Sequence, residues 1–164
     1  AKPYARDQAS GGLVEVRNQP FTLPLHAAER TALPGVGLYS NVRDLGRFAQ
    51  MLLQDGQLDG RRYLKPATLK QMIAATTGGM AVAGLTEGTR YGLGWQVVAE
   101  PKDINEHLSP GTYGQSGSYG PLLWIDPVKR RAYLLLIQRA DVAQEVRGEI
   151  RREFQKAVAE GYGR

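Results

Sequence analysis

The chain has 164 residues, the length of one domain, and its 42% hydrophobic and 23% charged residues are typical of a folded globular protein. Its longest apolar run, residues 132–137, is strand-sized and far shorter than the roughly 18 residues that a membrane span requires. The net charge of +5 comes from basic residues interleaved with acidic ones, so we expect no nucleic acid as a partner.

The absence of cysteine excludes disulfides, thiolate catalysis and cysteine-ligated zinc. The two histidines, His26 and His107, cannot complete a zinc site by themselves, because such a site needs three or four ligands. We therefore expect neither a metal nor another cofactor. The chain begins AKPY, without an initiating methionine or a signal peptide, which favours a segment of a longer protein.

Residues 1–38 carry several prolines and glycines and only two short strand candidates, residues 13–16 and 22–25. They predict a long irregular connection. Connections of this length usually line a site or pack on another part of a protein, so we expect a further part of the molecule beside this one.

Two helices are predicted in the next part of the chain. Apolar residues at helical spacing indicate a helix over residues 42–54, capped by Asn41 and ended by Gly56. The second helix begins at Pro66, a residue favoured at the first helical position, and ends by residue 76. A flexible loop rich in glycine and threonine is expected over residues 76–89.

The last third of the chain predicts strands and a closing helix. A strand is expected over residues 91–98, weakened by two glycines unless another backbone approaches them closely. Residues 121–125 and 132–138 form a hairpin joined by a proline-containing turn. Residues 133–137 are apolar at every position, which predicts a strand covered on both faces. An apolar stripe over residues 141–159 predicts a helix that packs on the sheet.

The glycine-rich residues 112–120 are the candidate functional segment. Their glycines allow a backbone to approach a ligand, and the amide of Gln115 with the hydroxyls of Ser116 and Ser118 can orient that ligand. A phosphate-binding loop is excluded, because the chain has no Gly-Lys-Ser or Gly-Lys-Thr sequence and no helix is predicted after the glycines. A plain turn between strands and a ligand-binding loop both stay open.

Four segments in chain order resemble the superfamily of serine β-lactamases, penicillin-binding proteins and class C-like esterases. They are residues 37–48, 91–95 (YGLGW), 114–120 (GQSGSYG) and 124–127 (WIDP). Each is short, but their order makes coincidence improbable. The resemblance implies an α+β fold in which helices flank an antiparallel sheet, as in the carboxy-terminal half of a β-lactamase/transpeptidase-like domain.

On this resemblance the chain, 1–164, is one unit with three parts. They are the connection 1–38, the helical part 39–90, and the strands with the closing helix, 91–164. The resemblance also favours a periplasmic or secreted protein, although the composition fits a cytoplasmic one equally well.

The family implies a nucleophilic serine, activated by a lysine one helical turn later and by a tyrosine from another loop. No serine of this chain is followed three residues later by lysine. Residues 39–41 match the tyrosine motif only superficially, because serine and asparagine at a helix start serve as caps. We therefore expect the nucleophile to lie in the amino-terminal half of the same protein. The chain either binds that half or self-associates through the apolar strand 132–138.

The family's third motif reads lysine, histidine or tryptophan, then a small residue, then glycine, whereas this chain has Gln115-Ser116-Gly117. Glutamine forms hydrogen bonds but neither carries charge nor relays a proton. The resemblance assigns Gln115, Ser116 and Gly117 to substrate binding and makes the backbone N–H of Ser118 one of two oxyanion donors.

Substrates implied by the family are a small ester, a D-alanyl peptide or a β-lactam. The loss of lysine from the third motif makes the β-lactam the least favoured of the three. The alternative is a catalytically inactive binding module on the same scaffold.

Overall fold

The computed structural model describes residues 4–16, 28, 39–78, 80, 84–140 and 144–161, with side chains of the last helix described from residue 148. The helices are α1 (Val42–Leu53), α2 (Pro66–Met72) and α3 (Gln144–Gly161). The strands of the main sheet are β5 (Thr89–Tyr91), β6 (Gln96–Val98), β7 (Tyr113–Ser116), β8 (Leu122–Asp126) and β9 (Arg131–Leu135). These strands are antiparallel and lie in the order β5-β6-β7-β8-β9. The predicted α+β class is confirmed.

Two small hairpins lie outside the main sheet. The first joins β1 (Tyr4–Arg6) to β2 (Leu13–Glu15), and the second joins β3 (Gln57–Leu58) to β4 (Arg61–Arg62). β2 confirms the strand predicted over residues 13–16, whereas β1 was not predicted. The other candidate strand, residues 22–25, lies outside the described residues.

The ends of α1 follow from local hydrogen bonds. Asn41 Oδ1 accepts from the N–H of Asp44 at 3.0 Å, and Asn41 Nδ2 donates to the carboxylate of Asp44 at 2.7 Å. At the other end Gly56 has φ +87° and donates its N–H to the carbonyl of Met51 at 2.9 Å. A Cβ on Gly56 would lie 2.4 Å from the carbonyl oxygen of Leu64, so only glycine fits this turn. Both predicted ends are confirmed to within a residue.

The sheet is covered on both faces. On the face toward α1 and α2 lies a core cluster formed by Ala49, Met51, Leu52, Leu58, Leu69, Val97, Tyr113 and Ile125. On the opposite face, under α3, lies a second cluster formed by Val98, Leu108, Leu122, Trp124 and Tyr133, with Phe154 and Val158 packed against it. We call these the α1 face and the α3 face of the sheet.

The single strand predicted over residues 91–98 is wrong. β5 ends at Tyr91 and β6 begins at Gln96, so the segment is a hairpin, closed where the N–H of Gly92 donates to the carbonyl of Trp95 at 2.8 Å. The two glycines explain the reversal, since Gly94 has φ +79° and Gly92 touches another backbone. The expected close approach is confirmed at Gly92 by α2.

β9 only partly matches the strand predicted over residues 132–138. It ends at Leu135, and Leu136 is 43% exposed. Helices cover both faces of β9 as predicted, because α1 and α3 contact it from opposite sides. Beyond its end, Tyr4 of β1 forms one parallel bridge with Arg139. Within the described residues, no strand pairs with the outer edge of β9 itself.

The contact at Gly92 predicts a loss of stability when a side chain is added there. A Cβ at Gly92 would lie 2.4 Å from the carbonyl oxygen of Met72 and 2.9 Å from that of Ala74. We expect Gly92→Ala to lower the free energy of unfolding by about 1–3 kcal/mol, as measured by urea denaturation.

The matched control is Gly46→Ala. Gly46 lies in α1, and apart from its own helix backbone no described atom lies within 4 Å of the position that a Cβ would take. This change should therefore raise the free energy of unfolding by about 0.5–1 kcal/mol. Equal effects of the two substitutions would contradict the close approach at Gly92.

Candidate active site

Gln115 and Ser116 lie on opposite faces of the sheet. Gln115 is paired with Leu123, which packs on the α1 face, and Ser116 is paired with Leu122, which lies in the core of the α3 face. Residues directly opposite each other on neighbouring antiparallel strands point to the same face. Gln115 therefore faces α1 and Ser116 faces α3, so their side chains leave β7 in different directions.

The sheet opens between β6 and β7 beside Gln115. β6 pairs with β7 only at Tyr113 and Gly114, so among the described strands the last two residues of β7 have no ladder partner on that side. The side chain of Gln115 bridges this opening, because its Nε2 donates to the carbonyl of Gly94 at 3.1 Å. The amide is exposed. Gln115 thus ties the end of β7 to the β5–β6 turn.

An aromatic group lies next to this opening on the α1 face. Trp95, the residue after Gly94, stacks on Phe48 with ring centroids 6.4 Å apart and meets Tyr113 edge to face at 5.4 Å. Phe48 is 39% exposed and Leu93 is 61% exposed. The surroundings of Gln115 therefore include exposed apolar surface.

Residues 117–120 form a tight turn between β7 and β8. The N–H of Gly120 donates to the carbonyl of Gly117 at 3.0 Å, and the N–H of Gly117 donates to the carbonyl of Pro121 at 2.8 Å. Gly120 has φ +98°, whereas Ser118 and Tyr119 have negative φ. This combination is a type I turn followed by a glycine bulge, the common three-residue hairpin loop.

The turn leaves the N–H of Ser118 available. A β-turn joins the carbonyl of its first residue to the N–H of its fourth, and the N–H of its second residue has no role in that bond. Ser118 is the second residue and is exposed, and within the described part of the chain no group accepts its N–H. A donor held in this way can bind an oxygen atom of a ligand.

Residues 39–41 match the capping prediction. The Asn41 side chain is engaged with Asp44 at the start of α1, and both Ser40 and Asn41 are exposed.

Tyr113 is buried and does not suit the role of the tyrosine base that the resemblance implies. It is 2% exposed, and burial, together with the smaller effect of the negative charge of Asp55, raises its pKa to about 12. Its hydroxyl therefore stays protonated at neutral pH and cannot act as a base.

A cavity of about 510 Å³ lies elsewhere, between α3, a short 3-10 helix (Asp103–Asn105) and the loop before β5. It is lined by Leu85, Thr86, Glu87, Asp103, Ile104, Gly148, Glu149 and Arg152, none of which lies in residues 112–120. Among the described residues there is no group of three or more histidine, cysteine, aspartate or glutamate side chains suited to a metal. None of the described helices is long and apolar enough to cross a membrane.

The Beta-lactamase family model matches residues 2–157 of the chain. Among solved structures, EstCE1, "a hydrolase with promiscuous acyltransferase activity", superposes with a TM-score of 0.72 at 20% identity, covering 97% of this chain and 43% of that one. Simvastatin synthase (LovD) from Aspergillus terreus gives a TM-score of 0.71 at 20% identity, over 100% of this chain and 43% of that one. These two likenesses show the fold.

Curated relatives match a shorter stretch. An uncharacterized protein of Mycobacterium tuberculosis is 33% identical over an alignment of 113 residues that covers 63% of this chain and 28% of that protein. A putative D-alanyl-D-alanine carboxypeptidase of Salmonella paratyphi B is 28% identical over an alignment of 106 residues that covers 63% of this chain and 22% of that protein. The matched part of this chain thus spans about a quarter of the length of these relatives.

The raised pKa of Tyr113 predicts a dependence of stability on alkaline pH. The folded state holds the Tyr113 proton more tightly than the unfolded state, so this stabilisation is present below the ordinary tyrosine pKa of about 10 and is lost as pH rises through about 12. The free energy of unfolding, measured by urea denaturation, should fall over this range, and less steeply for Tyr113→Phe.

Burial also raises the pKa of Tyr133, so some slope should remain in that variant. A Tyr113→Phe variant whose stability falls as steeply as that of the parent would contradict the prediction.

Proposed function

Because the chain belongs to the Beta-lactamase family, we propose that it forms the third-motif wall of a serine hydrolase active site. The nucleophilic serine and its lysine lie outside these 164 residues, since no serine here is followed three residues later by lysine. The reaction is acyl transfer to the serine oxygen, which forms an ester, followed by attack of water on that ester.

The observation that carries this proposal is the available N–H of Ser118. When the nucleophile adds to a carbonyl, negative charge develops on the carbonyl oxygen, and a donor already aimed at that oxygen stabilises the transition state. The hydrogen-bonded turn over residues 117–120 holds this N–H without help from the serine side chain. Ser118 then supplies one oxyanion donor, and the second comes from the part that carries the nucleophile.

The surroundings of Gln115 support a neutral ester as substrate. The residue carries no charge, and one of its amide hydrogens is engaged with Gly94. Its position therefore offers no cation to a substrate carboxylate, which β-lactams and D-alanyl peptides both carry. The exposed apolar side chains of Phe48 and Leu93 suit an uncharged acyl or alcohol group.

The edge of the sheet supports association with a further part of the fold. Among the described strands none pairs with the outer edge of β9, which lies beside the exposed side chain of Leu136, and such an edge can pair with another strand. We propose that the serine-bearing part of the hydrolase covers this edge, and that the chain alone self-associates through it. In the assembled site Gln115 contributes to substrate binding from the α1 face and Ser116 from the α3 face, with Gly117 following them at the end of β7.

The 164-residue chain alone should have no serine hydrolase activity. Incubation with a nitrophenyl ester and with a chromogenic cephalosporin tests this, and the serine-bearing part is then added to restore turnover of the ester. Saturable hydrolysis by the chain alone, abolished by a serine-directed inhibitor, would contradict the proposal. An assembled protein that binds a neutral ester without hydrolysing it would favour the inactive binding module.

Ser118→Pro tests the oxyanion donor in the assembled hydrolase. Proline suits the second position of a type I turn, so the change removes the N–H while keeping the turn. We expect kcat to fall about 10²- to 10³-fold.

The control Ser118→Ala keeps the N–H and should lose far less. A folded Ser118→Pro variant with the parent's kcat would refute the role of this donor. Ser116→Ala should mainly raise KM.

A further inference from the structure

The closing helix carries an arginine on the side that faces the sheet. Phe154 and Val158 pack against the core on the α3 face. Arg151 precedes Phe154 by three residues, and residues three or four apart share one side of a helix. A charged group on an apolar helix side is costly unless it is hydrogen-bonded, so the hydrogen bonds of this part-buried side chain are informative.

One hydrogen-bond partner of Arg151 is the turn that holds Ser118. Arg151 Nη2 donates to the carbonyl oxygen of Gly117 at 3.1 Å. The same oxygen accepts the N–H of Gly120 at 3.0 Å, so both of its lone pairs are used. The carbonyl of Gly117 and the N–H of Ser118 belong to one planar peptide unit and point in opposite directions. A restraint on the carbonyl therefore fixes the direction of the N–H.

We propose that Arg151 is a positioning residue for the oxyanion donor, acting on the N–H of Ser118 through the carbonyl of Gly117. This inference rests on the proposed function of Ser118. A hydrogen bond from a guanidinium is roughly twice as strong as a neutral one, so it restrains the peptide plane more firmly. It also polarises the amide, and hydrogen bonds in such a chain strengthen one another, which makes the N–H a better donor.

Loss of the Arg151 side chain should weaken binding of the transition state and leave binding of the substrate unchanged. The charge on the carbonyl oxygen of the substrate develops only during the reaction, so a misaligned N–H should reduce kcat and leave KM unchanged. Arg151→Met in the assembled hydrolase should lower kcat about tenfold, a part of the 10²- to 10³-fold effect of losing the donor altogether. The kcat of Arg151→Lys should lie between those of the parent and Arg151→Met, because an ammonium group keeps the charge but lacks the planar arrangement of the guanidinium donors.

The chain offers a matched control in Arg131. Its Nη1 donates to the carbonyls of Val158 and Ala159 at 3.1 and 3.3 Å, the same kind of bond at the other end of α3. Arg131→Met should reduce Tm about as much as Arg151→Met does and leave kcat unchanged. An equal fall of kcat in both variants would overturn the proposal, because it would show a general effect of loosening α3.

A double-mutant cycle separates positioning from a purely structural role. Once Ser118→Pro has removed the N–H, Arg151 has nothing to orient, so adding Arg151→Met should cause no further loss of kcat. A further tenfold loss in the double variant, or an unchanged kcat in Arg151→Met alone, would overturn the proposal. If Arg151→Met does not fold, the same cycle is read with Arg151→Lys. An unchanged kcat in Ser118→Pro alone would instead refute the proposed function.

Discussion

β8 must be covered on both faces, and the rest of the structure is arranged around this requirement. Its alternate residues enter two separate cores, with Ile125 on the α1 face and Leu122 and Trp124 on the α3 face. Burial of that much apolar surface dominates the stability of a domain of this size. α1 and α3 therefore take opposite sides of the sheet, and β7, paired to β8, lies between them.

Regular patterns in the sequence predicted the elements that local chemistry determines. Asn41 and Gly56 mark the ends of α1, and Pro66 marks the start of α2, because caps and fixed φ angles act over a few residues. The hairpin between β8 and β9 was equally readable, since the carboxylate of Asp126 accepts the N–H of Lys129 at 2.9 Å and closes the turn.

Elements that depend on distant partners were harder to predict. β1 consists of three ordinary residues and is ordered by its pairing with β2 and by the bridge to Arg139. The glycines of residues 91–98 indicated that another backbone comes close, but neither that this backbone belongs to α2 nor that the chain reverses there. The hydrogen bond from Arg151 to Gly117 also spans 34 residues, so the sequence pointed to residues 114–120 without indicating that α3 contacts them.

The candidate site exists because strand pairing stops where it does. If β6 continued alongside β7, its backbone would occupy the position now taken by the bond between Gln115 and Gly94, and the sheet would close. A tighter loop in place of residues 117–120 would engage or eliminate the N–H of Ser118. Fully paired strands have no backbone donors to spare, whereas a strand end held by side chains does. Gln115 on the α1 face and Arg151 from the α3 face hold this end of β7, so the two cores that stabilise the sheet also support the donor.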